Sequence, residues 1–292
     1  MIRYALVGSR NYYLWIGALL VVIVVGMGAW GIQLRDGFIV TNLSDQVSWG
    51  AYIANFTFLV GVAAAAVLLV IPAYAFHRED IKRVVLIGEL LAVSAIVMCL
   101  AFVTVDLGHP ERALHLVPGF GRLNFPDSIL AWDVIVLNIY LLLNLHLPGY
   151  LLYKQYKGET PVKSFYLPLV FLSMAWAVSI HTVTAFLYSG LGGRPFWNTA
   201  ILAPRFLVSA FAAGPAILLI VFLIIRWTKT MEIEDTVFDL LRKITSFMLP
   251  LNYFLLGCEL FTEFYTGRAH VISAQYLFFG ISQNNQFSIS KR

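Results

Sequence analysis

The stretch VVLIGELLAVSAIVMCLAFVTV, Val84–Val105, holds a single ionisable group, Glu89, and runs straight into Asp106-Leu107-Gly108-His109-Pro110-Glu111-Arg112. About twenty apolar residues are enough to cross the hydrocarbon core of a bilayer as a helix. The stretch therefore reads as one membrane span that ends in a charged loop. Outward from it, segments of the same kind occupy Leu14–Leu34, Gly50–Phe76, Ser128–Tyr153, Phe165–Tyr188, Ile201–Trp227 and Ile244–Tyr265. An eighth, Val271–Ile281, is too short to span. The expected fold is an all-α integral membrane protein, a bundle of about seven to eight transmembrane helices. No Ser-rich or Gly-rich linker divides the chain, so residues 1–292 are read as one domain.

Composition points the same way. The chain is 60% hydrophobic and 12% charged, whereas a soluble domain is about a quarter charged. So few charges cannot cover a surface in water, and lipid is the expected surroundings. The net charge of +4 comes from short basic runs between apolar segments, which implies no nucleic-acid partner. Cys99 and Cys258 lie inside apolar segments and read as small apolar side chains. Two cysteines cannot frame a zinc site or an iron–sulfur cluster. Arg3 and Arg10 precede the first apolar run, which lacks a small-residue cleavage site, so it is read as a retained helix.

Loop charge sets the expected orientation. Arg3, Arg10, Arg78, Lys82, Arg83, Lys154, Lys157, Lys163, Arg226, Lys229, Arg242 and Lys243 fall on one side. Arg35, Arg112, Arg122, Arg194, Arg205 and Arg268 fall on the other. The N-terminus is therefore expected in the cytoplasm of a cell bounded by this membrane. The Gly-, Pro- and aromatic-rich loops Arg35–Trp49, Asp106–Asp127 and Gly190–Pro204 are expected to cap the outer face, with a turn at Gly192-Gly193.

Ionisable groups inside a bilayer are costly and are by default candidates for function. On this topology Asp106, Asp133, His181, Arg205, Glu259 and Glu263 all fall in the outer half. Glu259 and Glu263, four residues apart, share a helix face. Only Glu89 lies in the inner half, and His146 lies near an inner helix end. A carboxylate or imidazole at such depth can accept or relay a proton; it can equally be a structural ion pair or a snorkelling side chain. A haem needs two axial histidines at similar depth, which His146 and His181 do not provide. A retinal needs an intramembrane lysine, and no nucleotide-binding glycine pattern occurs. No haem, iron–sulfur cluster or metal is therefore expected in this chain.

Three motifs are more specific. They are Val47-Ser48-Trp49-Gly50-Ala51-Tyr52 with Asn55 beyond it, the Asp106–Arg112 loop, and Phe125 to Asp133 with Ser128 and Trp132. Together they resemble the NrfD/polysulfide reductase membrane-subunit family over roughly Asn42 to Phe279. Within it, Pro195-Phe196-Trp197-Asn198-Thr199-Ala200, Pro204-Arg205-Phe206 and Glu259 to Tyr265 resemble the DsrP-type branch, which serves sulfite-reduction-associated Dsr complexes.

The resemblance implies a subunit that is not catalytic alone. It would exchange electrons between menaquinol and an extracytoplasmic, ferredoxin-like iron–sulfur partner. Multihaem cytochrome c and cytochrome b-like/iron–sulfur subunits would complete a Dsr-type complex. The quinone pocket carries over to Trp49, Tyr52, Asn55, Asp106, His109, Arg112 and Asp133. Asp106, His109 and Asp133 are the expected proton acceptors, and Arg112 would hold a carboxylate ionised or stabilise negative charge on the ring. A proton relay carries over to Asp133, His181 and Glu259. The branch has ten helices, a first bundle here at about 14–153 and a second at about 165–281. After the polar Ser282-Gln283-Asn284-Asn285-Gln286-Phe287 the sequence ends at Lys291-Arg292, so the second bundle is expected to be shortened. Two rivals use the same residues differently: an ion-translocating subunit without quinone chemistry, and an anchor for redox partners.

Overall fold

A computed structural model describes residues 7–43, 49–117, 119–265 and 271–279, apart from the side chains of Ala65 and Pro195. Arg3, Val47, Ser48, Arg268 and the stretch from Gly280 to Arg292 lie outside the described residues. Regular structure among the described residues is helical. Seven helices are long and apolar enough to cross a membrane: α1 Arg10–Asp36, α2 Ala51–Ala75, α3 Glu79–Asp106, α4 Ile129–Lys157, α5 Lys163–Ser189, α6 Leu202–Trp227 and α7 Asp235–Tyr265. The eighth apolar segment forms α8, Val271–Phe279, of 9 residues. The protein is a multi-pass integral membrane protein.

Local chemistry sets the helix ends. Ser9 caps α1 by accepting the backbone N–H of Tyr12 at 3.3 Å. Gly158 closes α4 at φ 68°, a conformation that costs glycine nothing. Pro72 lacks the N–H that α-helical pairing needs. There α2 changes from α geometry to a π turn at Ile71–Ala75, after an earlier 3-10 turn at Ala64–Ala66. α4 and α7 run beyond their apolar cores. Asp235 starts α7 where a helix favours negative charge, so its polar first turns are helix where hydropathy marked only Ile244 onward.

Two apolar clusters stack along the bundle. Phe56, Val60, Ile96, Leu137, Tyr140 and Ile180 fill its middle. Leu69, Ile81, Leu147, Leu218, Phe222 and Leu241 fill the end that carries the lysine-rich loops. α2 packs on α3, α3 on α4, and α4 on α5, while α6 packs on α2, α5 and α7. α4 and α5 thus lie side by side across the division expected between the two bundles. α2 and α6 meet at Gly61 and Ala210, where a Cβ on Gly61 would stand in ordinary van der Waals contact, 3.6 Å from the Ala210 Cα. α1 stands apart: Gln33 is its one buried residue. Gln33 donates to the Val105 carbonyl at 2.7 Å and accepts from the Tyr52 hydroxyl at 2.8 Å. Val105 is in the last turn of α3, where carbonyls lack helical partners.

Candidate functional site

A third cluster forms at the end that carries Asp106. There Ala185, Tyr188 and Leu202 pack with Trp49, Ile53, Trp197 and Phe206. The Trp49 ring stacks on Trp197 at 5.5 Å and 21°, and both meet Tyr188 edge-on at 5.3 and 5.2 Å. Offset and edge-on aromatic contacts of this kind are favourable. They wall a chamber of about 460 Å³ between α2 and α5, open to the outside along the exposed Ala54 and Phe58 and lined also by Ile53 and Thr57.

Two side pockets share walls with the chamber. The first, about 140 Å³, shares Thr57 and Phe58 and reaches His181. His181 Nδ1 lies 3.1 Å from the Ala177 carbonyl, which can only accept, so that nitrogen carries the hydrogen. Nε2 is then an acceptor, and it is buried with no partner among the described residues. The second, about 270 Å³, shares Tyr188 and Trp197 and is lined by Arg205, Asn252 and Glu259. Arg205 donates to Glu259, whose side chain is 3% exposed. Phe206 and Ser209 border both side pockets.

α5 carries a row of buried polar side chains, of which Tyr188 lines the chamber and His181 its first side pocket. His181, Thr184 and Tyr188 recur at helical spacing and are all buried. Thr184 donates to Asp133 Oδ1 at 2.8 Å. The Tyr188 hydroxyl shares a hydrogen bond with Thr57, whose hydroxyl also bonds the Ile53 carbonyl at 2.9 Å. Asp133 and Asp106 are both within electrostatic range of that tyrosine.

The residues expected to form one pocket separate in space. Trp49 lines the chamber, and His181 and Glu259 line its side pockets. Tyr52, Asn55, Asp106, His109, Arg112 and Asp133 line none of the three cavities. Tyr52 is engaged by Gln33, and exposed Asn55 bonds back to the Ala51 carbonyl at 2.8 Å. Asp133 is held between α4 and α5 by Thr184. His109 and Arg112 are exposed beside the 3-10 turn Pro110–Leu116, beyond the end of α3. His109 Nδ1 lies 2.8 Å from Glu111, which sits below its ordinary pKa because its own backbone N–H and then His109 bond its carboxylate. Asp106 is half-buried, with Oδ1 lacking a partner among the described residues. Glu89 is buried on α3 toward the lysine-rich end, also with one free oxygen. Cys99 is buried against the Phe56 carbonyl, and Cys258 is half-exposed.

Tyr188, Thr57 and Asn252 are the site residues that charge-based reading passes over. Neutral polar and aromatic side chains are common in apolar spans and carry no signal there. The three-to-four-residue spacing of His181, Thr184 and Tyr188 was the available sign. No group of three or more metal-ligating side chains occurs among the described residues.

The chain has relatives among known proteins. A candidate membrane subunit of a dimethyl sulfoxide reductase from Halobacterium salinarum is 27% identical over 71% of this chain and 50% of its own length. A selenate reductase subunit of Mesobacillus selenatarsenatis is 26% identical over 68% of this chain and 53% of its own. The Hdr-like menaquinol oxidoreductase integral membrane subunit of Archaeoglobus fulgidus is 24% identical over 85% and 60%. The chain thus spans about half the length of the first two. The polysulphide reductase NrfD family matches residues 39–282, and the chain belongs to that family.

Proposed function

We propose that this chain is the quinone-interacting membrane subunit of a respiratory oxidoreductase complex, and that it holds the quinone ring in the Trp49–Tyr188–Trp197 chamber. The observation that carries the reading is the chamber itself: aromatic walls at the Asp106 end of the bundle, with an imidazole nitrogen in an adjoining pocket that has no partner among the described residues. An aromatic slot suits a planar ring, and a buried acceptor without a donor suits a ligand hydroxyl. Menaquinol is the proposed substrate, supported by the name of the Archaeoglobus relative. When bound, it supplies two electrons and two protons.

The chain's own residues bind, orient and manage protons. Trp49 and Trp197, stacked on each other, offer one aromatic face to the ring, and the Tyr188 hydroxyl, fixed by Thr57, orients it. His181 Nε2 accepts a proton from a ring hydroxyl. Asp133, behind Thr184, and Glu259, beside Arg205, are the further acceptors in the relay. Asp106 at the end of α3, with the His109–Arg112 turn beyond it, forms the rim. Electrons pass to a ferredoxin-like iron–sulfur partner at that rim, with cytochrome c and cytochrome b-like subunits completing the complex. The lysine-rich end faces the cytoplasm, as the loop charges favour. Sulfur-compound respiration is the proposed setting, because the Pro195–Ala200 and Glu259–Tyr265 motifs resemble the Dsr branch.

Trp49 and Trp197 are built-in reporters. A menaquinol analogue should quench tryptophan fluorescence of the purified chain saturably. Ala54→Phe, which fills the chamber from an exposed lining position, should weaken binding about tenfold or more, roughly 1.4 kcal/mol. Saturable binding that Ala54→Phe leaves intact would place the ligand elsewhere.

A further inference from the structure

At the lysine-rich end, most charge is balanced within each hairpin. The α6–α7 turn carries Arg226, Lys229, Arg242 and Lys243 against Glu232, Glu234, Asp235 and Asp239, four against four. Arg226 bonds Asp235 at 2.6 Å and Arg242 bonds Asp239 at 2.9 Å. The α2–α3 turn is one positive charge in excess, with Arg78, Lys82 and Arg83 against Glu79 and Asp80. Arg78 pairs there with Asp80 and Lys82 with Glu79.

The α4–α5 hairpin differs. Lys154, Lys157 and Lys163 face a single carboxylate, Glu159, an excess of two. Lys154 takes that carboxylate at 2.5 Å. Lys157 and Lys163 are exposed and make no ion pair with a described residue. Lys157 sits 5.1 Å over the Tyr153 ring instead. Just inside them, Phe165 joins the two helices by packing on Tyr150 at 4.9 Å and on His146 at 5.9 Å. His146 is exposed, on the outside of a bundle whose outer surface meets lipid. The hairpin is closed firmly, because the Val162 N–H donates to the Tyr150 hydroxyl at 3.1 Å. Two uncompensated ammonium groups thus stand over an aromatic band with an exposed imidazole donor beneath. Basic clusters between transmembrane helices at the headgroup level attract anionic lipid. Aromatic rings belong at that level too.

We propose that the α4–α5 hairpin binds the phosphate headgroup of an anionic phospholipid, through Lys157 and Lys163. The site is independent of the quinone chamber, which lies at the opposite end of α5. The test is native mass spectrometry of the full chain released from mixed micelles of phosphatidylglycerol and phosphatidylcholine. The wild type should retain phosphatidylglycerol preferentially. The double variant Lys157→Gln/Lys163→Gln should lower that retention at least fivefold, and His146→Leu, about three helical turns deeper, should leave it unchanged. Lys229→Gln/Lys243→Gln, which removes the same charge from the balanced hairpin, should leave it unchanged. Equal losses in the two double variants would show a diffuse basic surface and overturn the proposal. Unchanged retention in the Lys157/Lys163 variant, or competition by millimolar inorganic phosphate as strong as by lipid, would overturn it as well.

Discussion

At the scale of single residues, the chamber depends on a few polar side chains buried in an apolar setting. Thr184 is fully buried and gives Asp133 its hydrogen bond. Thr184→Val keeps the shape but strands a carboxyl oxygen, which costs about 1–3 kcal/mol. The midpoint of thermal unfolding in detergent should fall accordingly, and Thr184→Ser should restore it. An unchanged midpoint would mean that Asp133 is satisfied without Thr184. Removing one partner of the Arg205–Glu259 pair should be harsher, about 3–5 kcal/mol for Arg205→Leu, because a buried charge is left uncompensated. The same thermal midpoint should fall further than for Thr184→Val. That Asp133, His181 and Glu259 are buried polar groups was legible in the sequence, because an ionisable group within an apolar run is conspicuous. The pairing of Arg205 with Glu259, 54 positions along the chain, was not, since it depends on how α6 meets α7. Nor was the exposure of His109 and Arg112, which follows from where one short turn lies.

At the scale of elements, hydropathy located all seven spans but not their polar extensions. The apolar core of a helix marks only its lipid-facing length, so the starts of α3 and α7 and the end of α4 reach further than expected. The apolar run Gly50–Phe76 was read as unbroken; Pro72 gives the π turn a local cause, whereas the 3-10 turn at Ala64–Ala66 has no equivalent mark in a run of alanines. The isolation of α1 was also hidden, because a lipid-facing helix and a packed one can read alike. Its attachment through Gln33 carries a prediction. Gln33→Leu removes both hydrogen bonds, so α1 should move relative to α3. Spin labels at exposed Arg35 and Arg112 should then show a broader distance distribution by electron–electron double resonance. A distribution as narrow as in the otherwise unsubstituted chain would mean that apolar contacts alone hold α1.

At the scale of the whole molecule, polar chemistry and basic charge separate to opposite ends. The chamber, His181, Asp133 and the Arg205–Glu259 pair lie toward the Asp106 end, and the lysines crowd the other. Composition and loop charge made that polarity readable before any fold was known. Whether the groups expected in the outer half shared a single cavity was not readable: His181, Arg205 and Glu259 line the side pockets, Asp133 is held between α4 and α5, and Asp106 lies at the end of α3. The most direct test of the chamber is photolabelling. An azido-menaquinone analogue, activated on the purified chain and mapped by peptide mass spectrometry, should label residues 49–58, leading into α2, together with 181–188 of α5 or 196–209, leading into α6. Excess unlabelled menaquinol should suppress the signal. Labelling confined to residues 106–112, and suppressed in the same way, would contradict the chamber and put the quinone under the loop instead.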